Sequence, residues 1–94
     1  MTEKQLIAKC EKTRKAIMDI AKQMTSDKVG KVCVHCTHYY CKSFYCSLTV
    51  SVYDANDKEQ ICYKSRLFGD YSEKSDFDIF MDEVEATLNY IKTN

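Results

Sequence analysis

Residues 43–53, Ser-Phe-Tyr-Cys-Ser-Leu-Thr-Val-Ser-Val-Tyr, alternate apolar and polar side chains without a break. Phe44, Cys46, Leu48, Val50 and Val52 fall on one side of an extended chain, and Tyr45, Ser47, Thr49, Ser51 and Tyr53 on the other. Alternation with a period of two over this length, rich in β-branched and aromatic residues, specifies a strand buried on one face only. A sheet built around it has one apolar face, which another part of the chain must cover. The 94 residues fit a single domain, 1–94, with a modest core and little depth for an enclosed catalytic pocket.

Two amphipathic segments supply the cover. Residues 3–25 carry Leu6, Ile7, Cys10, Ile17, Ile20, Ala21 and Met24 at helical spacing, with Thr13 and Arg14 interrupting the stripe. Thr2 is placed to cap the start, and Ser26 to Gly30 reads as the exit. Near the other end, Ser75 is expected to cap a helix with Asp76 and Asp78 in its first turn, where carboxylates suit the helix dipole. Its stripe is Phe77, Phe80, Met81, Val84, Leu88 and Ile91. Between the helices, residues 31–36 read as a short strand, with Val32, Val34 and Cys36 facing one way and Lys31, Cys33 and His35 the other. Residues 37–42 read as a connection. Asp54 to Lys58 form a turn, and 59–68 return as a partner strand, with Ile61, Tyr63 and Leu67 expected inward and Cys62, Lys64 and Arg66 outward. The order α-β-β-β-α predicts an α+β domain: a three-stranded antiparallel sheet with two helices packed on one face and the other face open.

Composition narrows the function. No apolar run approaches the roughly 20 residues of a membrane span, and the start of the chain has no apolar core of a signal peptide. The expected location is therefore the cytoplasm, where the six cysteines stay reduced. The chain is neutral overall but polar along its length. Residues 1–53 hold nine Lys/Arg against four Asp/Glu, and residues 54–94 hold five against ten. Net neutrality argues against a general DNA-coating protein. With only Gly30 and Gly69 there is no glycine-rich phosphate loop. A Cys-His nucleophile would need an oxyanion hole and an orienting third residue, and the sequence offers neither, so the chain is expected not to be an enzyme.

Three surfaces remain as candidates. The last helix carries Asp78, Asp82 and Glu85 at i, i+4 and i+7, one carboxylate ridge, with Glu73, Asp76 and Tyr71 close by in sequence. Such a ridge suits a protein partner with a basic surface, and Tyr45 and Tyr53 would add contact area. The alternative is a nucleic-acid interface on the open sheet face, where Lys31, Lys64 and Arg66 neutralise phosphate and Tyr45 and Tyr53 stack on bases. The third reading is a small zinc-stabilised module. Cys33, Cys36, His38 and Cys41 are the right donor types, with a C-x2-C corner, although a strand running through them would put Cys33 and Cys36 on opposite faces.

In layout, α-β-β-β-α resembles the double-stranded-RNA-binding domain. That family grips phosphate with lysines at the start of its second helix. The matching stretch here, Ser72-Glu73-Lys74-Ser75-Asp76-Phe77-Asp78, holds one lysine among three acids, which removes that contact. In topology, size and acidic helix the chain also resembles some small phage-encoded anti-CRISPR proteins. That resemblance implies an inhibitor occluding the basic nucleic-acid groove of a nuclease complex. The chain is expected to act as a monomer, or as a homodimer joined through an exposed strand edge.

Overall fold

The computed structural model describes residues 1–23 and 29–93. The expected helix end, residues 24–25, and most of the exit at Ser26 to Gly30 lie outside the described residues. Helix α1 spans Glu3–Gln23, strands β1, β2 and β3 span Val32–Cys41, Ser43–Tyr53 and Gln60–Gly69, and helix α2 spans Lys74–Thr93. The sheet is an antiparallel meander in the order β1-β2-β3, and both helices lie on one face. The α+β architecture read from the sequence is the one present.

Local chemistry explains the ends of α1. The Thr2 hydroxyl accepts the Gln5 backbone N–H at 3.2 Å, and the Gln5 side-chain oxygen accepts the Thr2 N–H at 3.0 Å. This reciprocal pair satisfies donors that the first turn leaves free. Thr13, which interrupts the apolar stripe, is buried and satisfied: its hydroxyl donates to the Lys9 carbonyl one turn earlier at 2.9 Å. Helix α2 starts one residue before the expected cap, so Ser75 lies inside it. Asp76 does the capping instead, accepting the Glu73 N–H at 2.8 Å.

The pleat of β2 is as its alternation dictates: Cys46, Leu48, Val50 and Val52 are buried against the helices. Leu6, Cys10 and Ile17 of α1 and Phe77, Phe80, Val84 and Leu88 of α2 close the core over them. At its centre Phe68 stacks on Phe77 with ring centroids 4.1 Å apart and meets Phe80 edge-on at 6.0 Å.

Two strand expectations are corrected. The stretch 37–42 is not a loose connection, because β1 pairs with β2 as far as Cys41 opposite Ser43. Cross-strand rings hold this end together, Tyr39 with Tyr45 and Tyr40 with Phe44. Lys42 alone turns the chain, with φ at 67°, a left-handed conformation costing a non-glycine residue about 1–2 kcal/mol. The second correction concerns β3, whose two faces are exchanged. Val52, Val50, Leu48 and Cys46 pair with Cys62, Lys64, Arg66 and Phe68, so these four face the helices, while Tyr63, Ser65 and Leu67 face outward. Phe68 decides the parity, since turning Leu67 inward would expel the ring at the centre of the core. The cost is small because β3 is an edge strand. Arg66 keeps its head half-exposed, lies over the Phe68 ring at 5.8 Å and pairs with Asp76 at 3.3 Å. Ile61 sits at a register shift beside Tyr53 and is exposed rather than inward.

Gly30 is required by close approach. A Cβ there would lie 2.1 Å from the Asp54 carbonyl oxygen, at the start of the β2–β3 turn. The Asp54 carboxylate organises that turn by accepting the N–H groups of Asn56 and Lys58 at 3.2 and 3.0 Å.

Candidate functional site

The open sheet face is built by parity. From β1 it receives Cys33, His35, Thr37, Tyr39 and Cys41, from β2 Tyr45, Ser47, Thr49, Ser51 and Tyr53, and from β3 Tyr63, Ser65 and Leu67. Neither helix covers it, and Tyr39, Tyr63 and Leu67 are each at least 40% exposed. Thr49 and Ser65 hydrogen-bond across the strands at 3.2 Å. Gly69 pairs with Tyr45, and a methyl group there would lie 2.7 Å from Tyr71 Cε1 and 3.0 Å from the Tyr45 ring. The glycine thus leaves room for Tyr71 to fold back over the sheet beside Tyr45. With Tyr39 at 6.3 Å from Tyr45, three aromatic rings gather at one end of the face. At the other end Lys31 Nζ lies 5.9 Å from the Tyr53 ring.

This placement divides the residues expected to bind nucleic acid. Lys31, Tyr45 and Tyr53 share the open face, but Lys64 and Arg66 point to the helix side. Two of the three expected phosphate contacts are therefore on the wrong face, and Arg66 is already paired with Asp76.

The acidic ridge survives in reduced form. Asp78, Asp82 and Glu85 are exposed on α2, and none makes an ion pair among the described residues. Asp76 does not belong with them, because one oxygen caps the helix and the other meets Arg66. Glu73 lies just before α2 and is exposed. Tyr71, expected to support the ridge, stands with Tyr45 instead. The ridge and the tyrosines lie on opposite layers, so one flat partner cannot meet both.

No family model, curated protein or solved structure matches this chain. Its surfaces must be read from their own chemistry.

The expected metal quartet is split by the pleat. Cys33 and Cys41 face outward, while Cys36 and His38 face the helices. There Cys36 meets Cys10 of α1 and Cys46 of β2, with the three sulfurs within 4.8 Å of one another. His38 Nε2 is 3.5 Å from Cys36 Sγ. Burial, with Cys46 and Glu11 nearby, pushes the Cys36 thiol up to about 11, and burial also raises Cys10 and Cys46.

Sequence reasoning missed Tyr39, Tyr63 and Leu67 as surface residues. Tyr39 was recoverable from its place opposite Tyr45 in a tight hairpin, and Tyr63 from the parity of Phe68.

Proposed function

We propose that the protein works by binding a protein partner, without catalysis, through the tyrosine-bearing face of its sheet. The observation that carries this reading is the content of that face. It holds Tyr39, Tyr45, Tyr53, Tyr63 and Leu67, with Tyr71 folded against it and Lys31 as its cation. Tyrosine supplies large contact area with few rotors to freeze, which is why it concentrates at binding hot spots. A face with several ring surfaces and little positive charge is poorly suited to a phosphate backbone and well suited to arginine and lysine side chains. The partner is accordingly a protein with a basic surface. In its concrete form the protein is a cytoplasmic inhibitor of the small phage-encoded anti-CRISPR kind, lying over the cationic groove in which a nuclease complex holds nucleic acid.

The test compares two triple variants in pull-downs from lysate of the source cells, with bound proteins identified by mass spectrometry. Tyr45→Ser/Tyr63→Ser/Tyr71→Ser is expected to lose a basic partner that Asp78→Lys/Asp82→Lys/Glu85→Lys retains. Loss only in the lysine variant would move the site to the α2 ridge. Salt-sensitive retention of RNA or DNA on a filter, weakened by the tyrosine variant, would replace the reading with nucleic-acid binding.

A further inference from the structure

The geometry points to a thiolate metal site, suited to zinc, at the junction of α1, β1 and β2, with Cys10, Cys36, Cys46 and His38 as ligands. The site goes beyond the sheet-face reading and does not depend on it. Tetrahedral zinc holds sulfur at about 2.3 Å and imidazole nitrogen at about 2.0–2.1 Å, which places neighbouring donors about 3.5–3.8 Å apart. Cys36 Sγ and His38 Nε2 are already 3.5 Å apart, and the Cys10, Cys36 and Cys46 sulfurs all lie within 4.8 Å of one another. His38 lies within 4.8 Å of Cys36 and Glu11 but not of all three sulfurs, so closing the site requires its imidazole to rotate towards Cys10 and Cys46 about the shared Cys36.

Each element contributes through its own periodicity. Cys10 stands on the buried stripe of α1 between Leu6 and Ile17. Cys36 and His38 are two apart on β1, and so project on the same side of the strand. Cys46 pairs with His38 across the β1–β2 ladder, on the same face. Two ligands are fully buried, and the two on β1 lie towards the rim, which gives the ion an entry path. Glu11, held by Arg14 at 3.0 Å, lies within 4.8 Å of both Cys36 and His38, where a carboxylate can orient a ligating imidazole. On binding, three thiol protons leave for solvent, and the resulting tris-thiolate site carries one net negative charge beside the Glu11–Arg14 ion pair.

The ion would tie α1 to the sheet, so it is a structural site, and its removal is read in stability as well as in metal content. The test uses chain purified under reducing conditions. It combines zinc analysis, reconstitution of the stripped protein with Co2+, and thermal unfolding with and without a chelator. About one zinc per chain is expected, together with a thiolate-to-cobalt charge-transfer band and the visible bands of tetrahedral Co2+. The chelator is expected to lower the unfolding temperature by roughly 10 °C or more. Cys36→Ser should weaken the charge-transfer band, since two of the three thiolates remain, and His38→Ala should weaken Co2+ binding about tenfold or more. Cys33→Ser, Cys41→Ser and Cys62→Ser should leave both unchanged. Cys10→Ser and Cys46→Ser alter the core, so the rim variants Cys36→Ser and His38→Ala decide the matter, with far-ultraviolet circular dichroism checking that they fold. Zinc-free protein indifferent to chelator, or Co2+ spectra unchanged by Cys36→Ser, would each overturn the assignment.

Discussion

Replacing Phe68 by alanine, set beside the same change at Leu67, tests the register of β3 directly. Phe68 is fully buried, stacked on Phe77 at 4.1 Å and edge-on to Phe80 at 6.0 Å, whereas Leu67 is 41% exposed on the open face. Removing a buried phenyl ring forfeits its transfer energy, leaves a cavity and breaks both ring pairs, a loss of about 3–5 kcal/mol. Leu67→Ala gives up part of one half-covered side chain, about 1 kcal/mol or less. For a domain of this size 1 kcal/mol moves the unfolding midpoint by about 4–8 °C, so Phe68→Ala should fall by roughly 12–40 °C and Leu67→Ala by a few degrees. Urea titration followed by far-ultraviolet circular dichroism measures both on one scale. Phe68→Leu, expected to cost about 1.5 kcal/mol, stands in if the alanine variant does not fold. A Leu67→Ala loss equal to or larger than that of the Phe68 variant would mean that β3 is turned the other way, and the composition of the open face would then be wrong.

The remaining predictions concern turns and ties. Gly30→Ala forces a methyl group to within 2.1 Å of the Asp54 carbonyl oxygen and should cost about 2 kcal/mol or more in thermal unfolding. Lys42→Gly relieves the left-handed backbone at the β1–β2 turn and should stabilise the domain by about 0.5–1 kcal/mol, because the steric relief exceeds the entropy glycine adds to the unfolded chain. The Tyr40 hydroxyl donates to the Glu3 carboxylate, tying β1 to the start of α1, and this contact raises the phenol above its ordinary 10.0. The folded state favours the protonated phenol, so this contribution is full below pH 10 and fades as pH climbs past it. Tyr40→Phe should remove a late component from the ultraviolet titration of the tyrosines and flatten that part of the stability profile.

The parts of the fold legible in the sequence were those where a single periodicity had no competitor. The strand from Ser43 to Tyr53 and the stripe from Phe77 to Leu88 are of this kind, and both are present as read. Strand β3 was not legible because its apolar residues fall on both parities, Ile61, Tyr63 and Leu67 against Cys62 and Phe68, and the choice rests on ring packing with a helix distant in sequence. The stretch Thr37 to Cys41 shows no apolar alternation and is a strand because β2 offers it a full ladder. The thiol cluster was hidden for a related reason. Cys33, Cys36 and Cys41 are neighbours in sequence, but only Cys36 meets the sulfurs at positions 10 and 46, and that convergence belongs to the packing of α1 on the sheet.

The inward turn of Lys64 and Arg66 also governs how the sheet can grow. A flat rim of unsatisfied amides invites strand addition from another molecule, and charged side chains aimed at the core side are one way proteins discourage it. The outer rim of β3 carries two such charges, while that of β1, from Val32 to Cys41, carries no Lys, Arg, Asp or Glu. Self-association by sheet extension would therefore join β1 to β1, making a continuous six-stranded sheet with its tyrosines in one broad band, and the β3 rims would close the pair at both sides.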